Sequence, residues 1–344
     1  MINVGIIGCG SIGVKRHIAE YSENKDVRLV AFCDRVYSRA EEQKVLHGGT
    51  AYEDYRELLA DDSVDAVSVC TPNYIHSEIA IAALEAGKHV LCEKPMGVTL
   101  SEMDAMIEAE ERSAGQLMIG HNQRFVKEHE VAKEWIASGR LGKIYAFRTT
   151  FGHGGPEGWS VDGRDSWFFK ESQAAMGAMG DLGVHKADLI RFLLGEEVTE
   201  VGGMISKKAK DFSDVDDNAV CVLRTESGII GTLQASWSFY GAEDNSTVIY
   251  GEKGVLRLLD DDRHSFIFTS ADGEVTKENY GGIQTNDDVG QSKSSQVMDR
   301  FIAALKGGER VPVTAADAKN SVRIILDAFE SDRKDKIVTG EQVL

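Results

Sequence analysis

Residues Gly8-Cys9-Gly10-Ser11-Ile12-Gly13 constrain this chain more than any other stretch. They fit G-x-G-x-x-G, follow directly on the apolar run Val4–Ile7, and open a helical pattern that runs from Ile12 to Tyr21. Strand, tight turn and helix in that order are the first unit of a dinucleotide-binding βαβ fold. Gly8 permits the turn, Gly10 lets the backbone approach a pyrophosphate, and Gly13 lets helix and strand pack closely. Free N–H groups and the positive end of the helix dipole favour an anion there, so Cys9, Ser11 and Ile12 belong to the same expected cofactor site.

The pattern after this loop agrees. Val27–Cys33, Asp65–Cys70, His89–Cys92 and Leu117–Gly120 are continuous apolar runs, as parallel strands covered on both faces require. Helical periodicity lies between them at Tyr37–His47, Tyr55–Ala60, Ile75–Ala86 and Leu100–Ser113. The alternation predicts a doubly wound parallel sheet over residues 1–122. Asp34 ends the second run, where a carboxylate accepts hydrogen bonds from the adenosine ribose and repels a 2′-phosphate, which favours NAD. Arg35 beside it could bind that phosphate or stack on adenine, which keeps NADP open as a second cofactor.

Beyond an amphipathic helix at Val126–Ala137 the pattern changes. A long strand at Lys143–Phe151 leads into a Gly- and aromatic-rich loop, then a helix over Gly180–Leu194. Strand-like runs follow at Glu200–Ser206, Asn218–Glu226, Gly228–Ser238, Ser246–Tyr250, Gly254–Leu259 and Ser265–Ser270, and helices at Ser295–Leu305 and Ala315–Glu330 close the chain. Residues 123–344 therefore read as an α+β domain with an open, mostly antiparallel sheet. The C-terminal helix is placed to pack back on the first domain. One sheet face lacks covering helices, which predicts a homodimer or homotetramer.

With 344 residues the chain is long enough for two domains. Its formal net charge of −18 opposes nucleic-acid and anionic membrane partners. No apolar run reaches the roughly 18–20 residues of a membrane span. Met1–Ile7 shows neither a basic leader segment nor a cleavage site, so a cytoplasmic location is expected. Cys9, Cys33, Cys70, Cys92 and Cys221 fit no metal-knuckle spacing and read as buried, reduced thiols.

Two constellations carry candidate chemistry. Glu93-Lys94-Pro95 stands at the C-terminal end of the His89–Cys92 run, the edge where open parallel sheets hold their ligand. A lysine fixed there can stabilise a developing alkoxide. Asp181 and His185 lie four apart at the start of a helix, on one helical face. His185 is a candidate proton acceptor, and Asp181 could orient it or bind a substrate hydroxyl. A metal pair would need further ligands, and the sequence places none.

The ordered set of the glycine loop, Thr71-Pro72-Asn73 with His76, Glu93-Lys94-Pro95, Asp181 with His185, the junction Ala137–Ile144 and the turn Tyr250–Gly254 resembles the glucose–fructose oxidoreductase, inositol dehydrogenase and rhizopine-catabolism (Gfo/Idh/MocA) family. The resemblance spans nearly the whole chain. It implies an active site in a cleft between two domains, with Thr71, Pro72, Asn73, His76 and the Glu93–Pro95 turn at the cofactor. It also implies that Lys94 contacts substrate and nicotinamide, that His185 is the acid/base with Asp181 assisting, that the bond before Pro95 is cis, and that no metal is needed. Asn122 and Arg124 resemble family positions lining the cleft. The loop bearing His153, Trp159, Arg164 and Trp167 would close over a sugar, cyclitol or related polyol whose secondary alcohol exchanges a hydride with nicotinamide. Two rival roles, an NAD-using glycosidase and a non-catalytic dinucleotide sensor, share the fold. Sensors tend to lack the lysine or the histidine, and both are present. With His185 as base, activity should rise through its pKa near neutral pH, Lys94 pulling that value down and Asp181 pushing it up.

Overall fold

The computed structural model describes residues 1–283 and 294–339. The end of the second domain expected from the sequence, 340–344, and residues 284–293 within it lie outside the described residues.

The first sheet contains β1 (Ile2–Ile7), β2 (Val27–Cys33), β3 (Thr50–Tyr52), β4 (Ala66–Val69), β5 (His89–Cys92) and β6 (Leu117–Ile119). Their order is β3-β2-β1-β4-β5-β6 and every pairing is parallel, which is the doubly wound arrangement of a Rossmann domain. The sequence pattern had not disclosed β3, because three residues of Thr-Ala-Tyr carry no periodicity. Helix α1 covers residues 11–23 and is π-wound over Gly13–Ile18. Helices α2 (Tyr37–His47), α3 (Tyr55–Leu59), α4 (His76–Glu85) and α5 (Leu100–Arg112) complete the layers. Thr99 and Glu102 form a capping box that starts α5. Residues such as Val67, Val90 and Leu91 are fully enclosed, which explains the uninterrupted apolar runs.

Helix α6 (Lys127–Ala137) leads to β7 (Ile144–Gly152). A loop of short 3₁₀ turns ends in α7 (Glu171–Ala174). The π-wound turn Met179–Gly183 then runs into α8 (Val184–Leu194). The second sheet adds β8 (Val198–Ser206), β9 (Asn218–Thr225), β10 (Ile230–Ser236), β11 (Thr247–Gly251), β12 (Gly254–Leu258), β13 (Phe266–Ser270), β14 (Val275–Glu278) and, after helices α9 (Val297–Gly307) and α10 (Ala315–Lys334), β15 (Val338–Thr339). The order is β14-β13-β12-β11-β7-β10-β9-β8-β15, antiparallel except where β10 runs parallel to β7. The turns at Glu226-Ser227-Gly228 and Gly251–Gly254 join antiparallel neighbours, as their composition suggested. Strands β14 and β15 lack apolar alternation and were not legible.

Leu223, Leu233, Ile249 and Leu256 share one buried core with Ile190 of α8 and Ile325 of α10, each side chain contributing roughly 1.5–3 kcal/mol. The other face of this sheet carries exposed Met204, Val220, Val222 and Ile230. The chain's last segment also touches the first domain. Val313 O accepts from Ile119 N (3.2 Å) at the edge of β6, and Lys319 of α10 pairs with Asp104 of α5. No helix of the described residues is long and apolar enough to cross a membrane.

Candidate active site

The C-terminal ends of the parallel strands open into a cleft of about 1410 Å³, whose far wall comes from the second domain. Its near wall is largely backbone. Gly8 sits at φ +101°, and a Cβ there would lie 2.5 Å from Cys70 O. A Cβ on Gly13 would come 2.0 Å from Gly8 O, so helix and strand pack as closely as the spacing implied. A Cβ on Gly10 would meet nothing within 4 Å, which leaves that peptide open to a ligand. An unobstructed glycine peptide just before the first turn of α1 fits the pyrophosphate of a dinucleotide. Asp34 Oδ2 accepts from Cys9 N (2.9 Å) and Oδ1 from Val36 N (2.8 Å), which fixes the carboxylate at the cleft. Exposed Arg35 and half-buried Ile12 line the same end. The Cys9 side chain turns inward, Sγ lying 3.7 Å from Cys33 O, and burial with the nearby Asp34 charge pushes its thiol up to about 12. Cys9 therefore serves the site through its backbone.

Thr71, Pro72 and Asn73 line the cleft after β4. Asn73 Nδ2 donates to Ala174 O (3.0 Å), so its amide ties the first domain to α7. The His76 ring is buried between Pro95 O and Thr71 O, each at 2.8 Å, and pins the Lys94–Pro95 turn, whose peptide bond is cis. Glu93 accepts from His17 Nε2 (3.0 Å) and from Lys94 N (3.1 Å). Burial alone would raise the Glu93 carboxyl, but His17 and Lys94 outweigh it and hold it at about 2.

The far wall carries side chains. Lys94 Nζ reaches across to Asp181, donating to Oδ1 (2.8 Å) and to its backbone O (2.9 Å). Asp181 Oδ2 accepts from the indole N–H of buried Trp237 (3.1 Å). Both carboxylate oxygens are thus engaged, and Asp181 does not orient His185 as the four-residue spacing suggested. The π-wound turn through Gly180 and Gly183 alters the rotation between the two residues. It is held by Asp216, which accepts from Gly177 N (2.6 Å) and Met179 N (2.8 Å) and is pushed by burial up to about 6. His185 lines the cleft with Nδ1 enclosed and unpartnered among the described residues, so Nε2 is the nitrogen offered to a ligand. Burial first, then Lys94, His121, Lys186 and Arg16, drive its pKa well below the ordinary histidine value. This corrects the expectation of a titration near neutral pH, since Asp181 is spent on Lys94 and Trp237 and offers no compensation.

Asn122 and His153 line the cleft, and Trp167 stacks on Phe168 at 3.9 Å beside them. Arg124 departs from expectation. It is buried outside the cleft lining, donating to Asp188 through Nε and Nη2 (2.7 Å each), and is a structural residue. Arg164 also turns away, its guanidinium lying 4.7 Å over the Phe212 ring. Trp159 sits in the loop that already crosses the glycine turn. Ser11 Oγ donates to Trp159 O (3.0 Å) and accepts from Val161 N (3.1 Å), and Arg39 pairs with Asp162 (2.8 Å). Sequence reasoning missed Trp237 and Asp216, which hold Asp181 and its turn, His121 beside His185, and the cleft pair Gln123 and Asn245, where Gln123 Nε2 donates to Asn245 Oδ1 (3.1 Å); these contacts cross between distant parts of the chain and share no local motif.

Comparisons with known proteins identify the family and the fold. Residues 2–121 match a family model described as oxidoreductase family, NAD-binding Rossmann fold, and residues 129–257 match the GFO/IDH/MocA C-terminal domain. The chain is 32% identical to D-glucoside 3-dehydrogenase of Escherichia coli, over 92% of this chain and 91% of that one. It is 29% identical to myo-inositol 2-dehydrogenase of Thermotoga maritima, over 100% of both chains. A solved structure of levoglucosan dehydrogenase in complex with NADH and levoglucosan superposes with a TM-score of 0.84 at 26% identity, covering 99% of this chain and 100% of that one.

Proposed function

The chain belongs to the GFO/IDH/MocA family of NAD-binding oxidoreductases, and from that premise we propose that it oxidises a secondary alcohol of a sugar or cyclitol, or reduces the matching ketone, with NAD as its preferred cofactor. It is a dehydrogenase, and its relatives act on sugars and cyclitols. The observation that carries the reading is the meeting of Lys94 and His185 in one cleft, beside a glycine turn whose Gly10 peptide is open.

Gly8, Gly10 and the first turn of α1 would hold the pyrophosphate, and Asp34 the adenosine ribose. When bound, the nicotinamide supplies hydride exchange with carbon. The protein's residues handle the oxygen and its proton. Lys94, steered by Asp181, brings a positive charge to the substrate oxygen and favours the alkoxide-like transition state. His185, kept neutral by burial and by the cations around it, accepts the hydroxyl proton at Nε2. Asn122 and His153 offer polar contacts to further hydroxyls, and Trp167 an apolar face. The Trp159–Asp162 stretch of the loop limits water at the pyrophosphate end. Asp34 opposes a 2′-phosphate, which supports NAD over NADP.

The test is NAD reduction, followed by absorbance of the reduced nicotinamide, against a panel of cyclitols, aldoses, glycosides and anhydrosugars. Turnover of at least one neutral polyol, lost in Lys94→Ala, supports the reading. No turnover of any of them overturns it.

The exposed face of the second sheet supports assembly. Val220 and Val222 alternate with buried neighbours along β9, Met204 pairs with Val220 and Thr232 with Val222, so the apolar side chains form one patch. A second copy of the same sheet would cover it in a homodimer or in the dimer unit of a tetramer. Light scattering checks this, and a monomer mass excludes it.

A further inference from the structure

A base that accepts a proton at Nε2 must carry its own proton on Nδ1, and something must hold it there. In His185 that nitrogen is enclosed by protein and unpartnered among the described residues. Asp181, four residues earlier on the same helical segment, has both oxygens committed to Lys94 and Trp237.

The aromatic neighbours of His185 are Phe151, at 5.8 Å, and His121, which meets it edge to face at 6.4 Å and 87°. Phe151 has no polar atom. His121 is buried just past the end of β6, and both of its ring nitrogens are enclosed without a hydrogen bond among the described residues. Orphaned buried polar atoms cost their lost hydration and are uncommon without a purpose. Here three of them sit on two touching rings. Beyond His121 stands Asp188, whose Oδ2 lies 3.9 Å from His121 Nδ1. That carboxylate is firmly placed. Arg124 donates to both of its oxygens at 2.7 Å, and Ser321 Oγ donates to Oδ1 at 2.9 Å.

We propose that His121 is a positioning residue for His185: with the Asp188 carboxylate facing its Nδ1 side, it accepts, through one interposed water, the hydrogen bond that keeps the His185 proton on Nδ1 and leaves Nε2 bare for substrate. The ring separation puts the nitrogens beyond direct hydrogen-bond reach, and a water with a ring nitrogen on either side can bridge such enclosed groups. The inference rests on the dehydrogenase reading for its purpose but not for its detection. The groups acting on His121 are Asp188, Arg124, Lys94 and Arg191. Those acting on His185 are Lys94, His121, Lys186 and Arg16. Burial, with Arg124, Lys94 and Arg191 outweighing Asp188, lowers His121 to about 4, so at working pH its ring is neutral and able to accept.

The experiment is long-range proton–nitrogen NMR of the NAD-saturated protein labelled at histidine, with His185 assigned by loss of its signals in His185→Ala. The wild type should show His185 as the Nδ1–H tautomer. His121→Phe, which keeps an aromatic ring of similar size, should shift His185 toward Nε2–H. It should also lower kcat about 10-fold or more while the KM values for NAD and substrate stay within about 2–3-fold, since tautomer control acts on the proton transfer step. An Nε2–H tautomer in the wild type overturns the proposal whether or not the variant folds, and so does a folded His121→Phe protein with unchanged tautomer, kcat and pH profile. The tautomer is read without substrate, so a failed search for a polyol substrate tells against the dehydrogenase reading and leaves this measurement standing.

Discussion

The two walls of the cleft are built from different materials. On the first-domain side the surface offered to a dinucleotide is mostly main chain: the Gly8–Gly10 turn, the start of α1 and a single fixed carboxylate, Asp34. On the second-domain side it is mostly side chain: Asp181 and His185 from one helical segment, with the fully buried Trp237 indole holding Asp181 from behind. Lys94 crosses the gap and joins them. A main-chain wall recognises what every member of a cofactor class shares, and it depends on the absence of side chains. A side-chain wall does chemistry, and it depends on where protons and charges are held. The contrast predicts that substitutions in the first wall fail in folding and cofactor binding, while those in the second fail in turnover.

The largest effect should come from adding bulk to the first wall. Gly13→Val would drive a side chain into Gly8 O, which a Cβ alone already approaches to 2.0 Å. We expect no stable dinucleotide-binding protein, a loss above about 4 kcal/mol. A thermal melt and an NAD titration check it, and a near-normal melt would dissolve the contrast. Next is His185→Ala, expected to lower kcat by about 10²–10⁴ with NAD affinity nearly unchanged. Loss of NAD binding in that variant would mean that the walls are not separable. Because the His185 pKa is driven well below its ordinary value, the wild-type kcat should stay flat through neutral pH and fall only in acid; a rise centred near neutral would show that the ring is less buried than it looks.

A smaller effect belongs to the junction. Glu93 has a folded pKa of about 2 against an ordinary 4.5, so it binds fewer protons folded than unfolded. Its contribution is present above about pH 4.5 and is lost as pH falls toward 2, an amount on the order of 3 kcal/mol. Urea unfolding of wild type and Glu93→Gln across that window should show the wild type losing more stability, and parallel curves would remove Glu93 from the acid response. The smallest expected change is Asp34→Ala, which should move the ratio of NAD to NADP affinity by about 10-fold toward NADP, since it removes one charge repulsion. An unchanged ratio would give the choice to Arg35.

The same contrast explains what could be read from the sequence. The first wall is local: glycine spacing, an apolar run before it and a helix after it lie within a dozen residues, so Gly8, Gly10, Gly13 and Asp34 were legible. Lys94 and His185 were legible because each stands at the end of a well-patterned element. Their partners were not. Asp181 meets Trp237 across the fold, Asp216 holds the π-wound turn from the stretch just before β9, and His121 approaches His185 from the edge of the first sheet. Such meetings are set by tertiary packing, and no periodicity encodes them. Arg124 shows the converse. A polar residue in a cleft-like sequence position was claimed by the buried Asp188. The helical four-residue rule failed at Asp181 and His185 because it assumes 3.6 residues per turn where the chain is π-wound.

The bridge between β6 and residues 313 and 314 has a consequence for the order of synthesis. The sixth strand leaves the ribosome long before the segment that covers its open edge. Through the making of the whole second domain, that edge offers unpaired N–H and C=O groups to any passing strand. A chain cut after the first domain should therefore associate or aggregate, and the nascent protein has reason to meet a chaperone before its last two helices emerge.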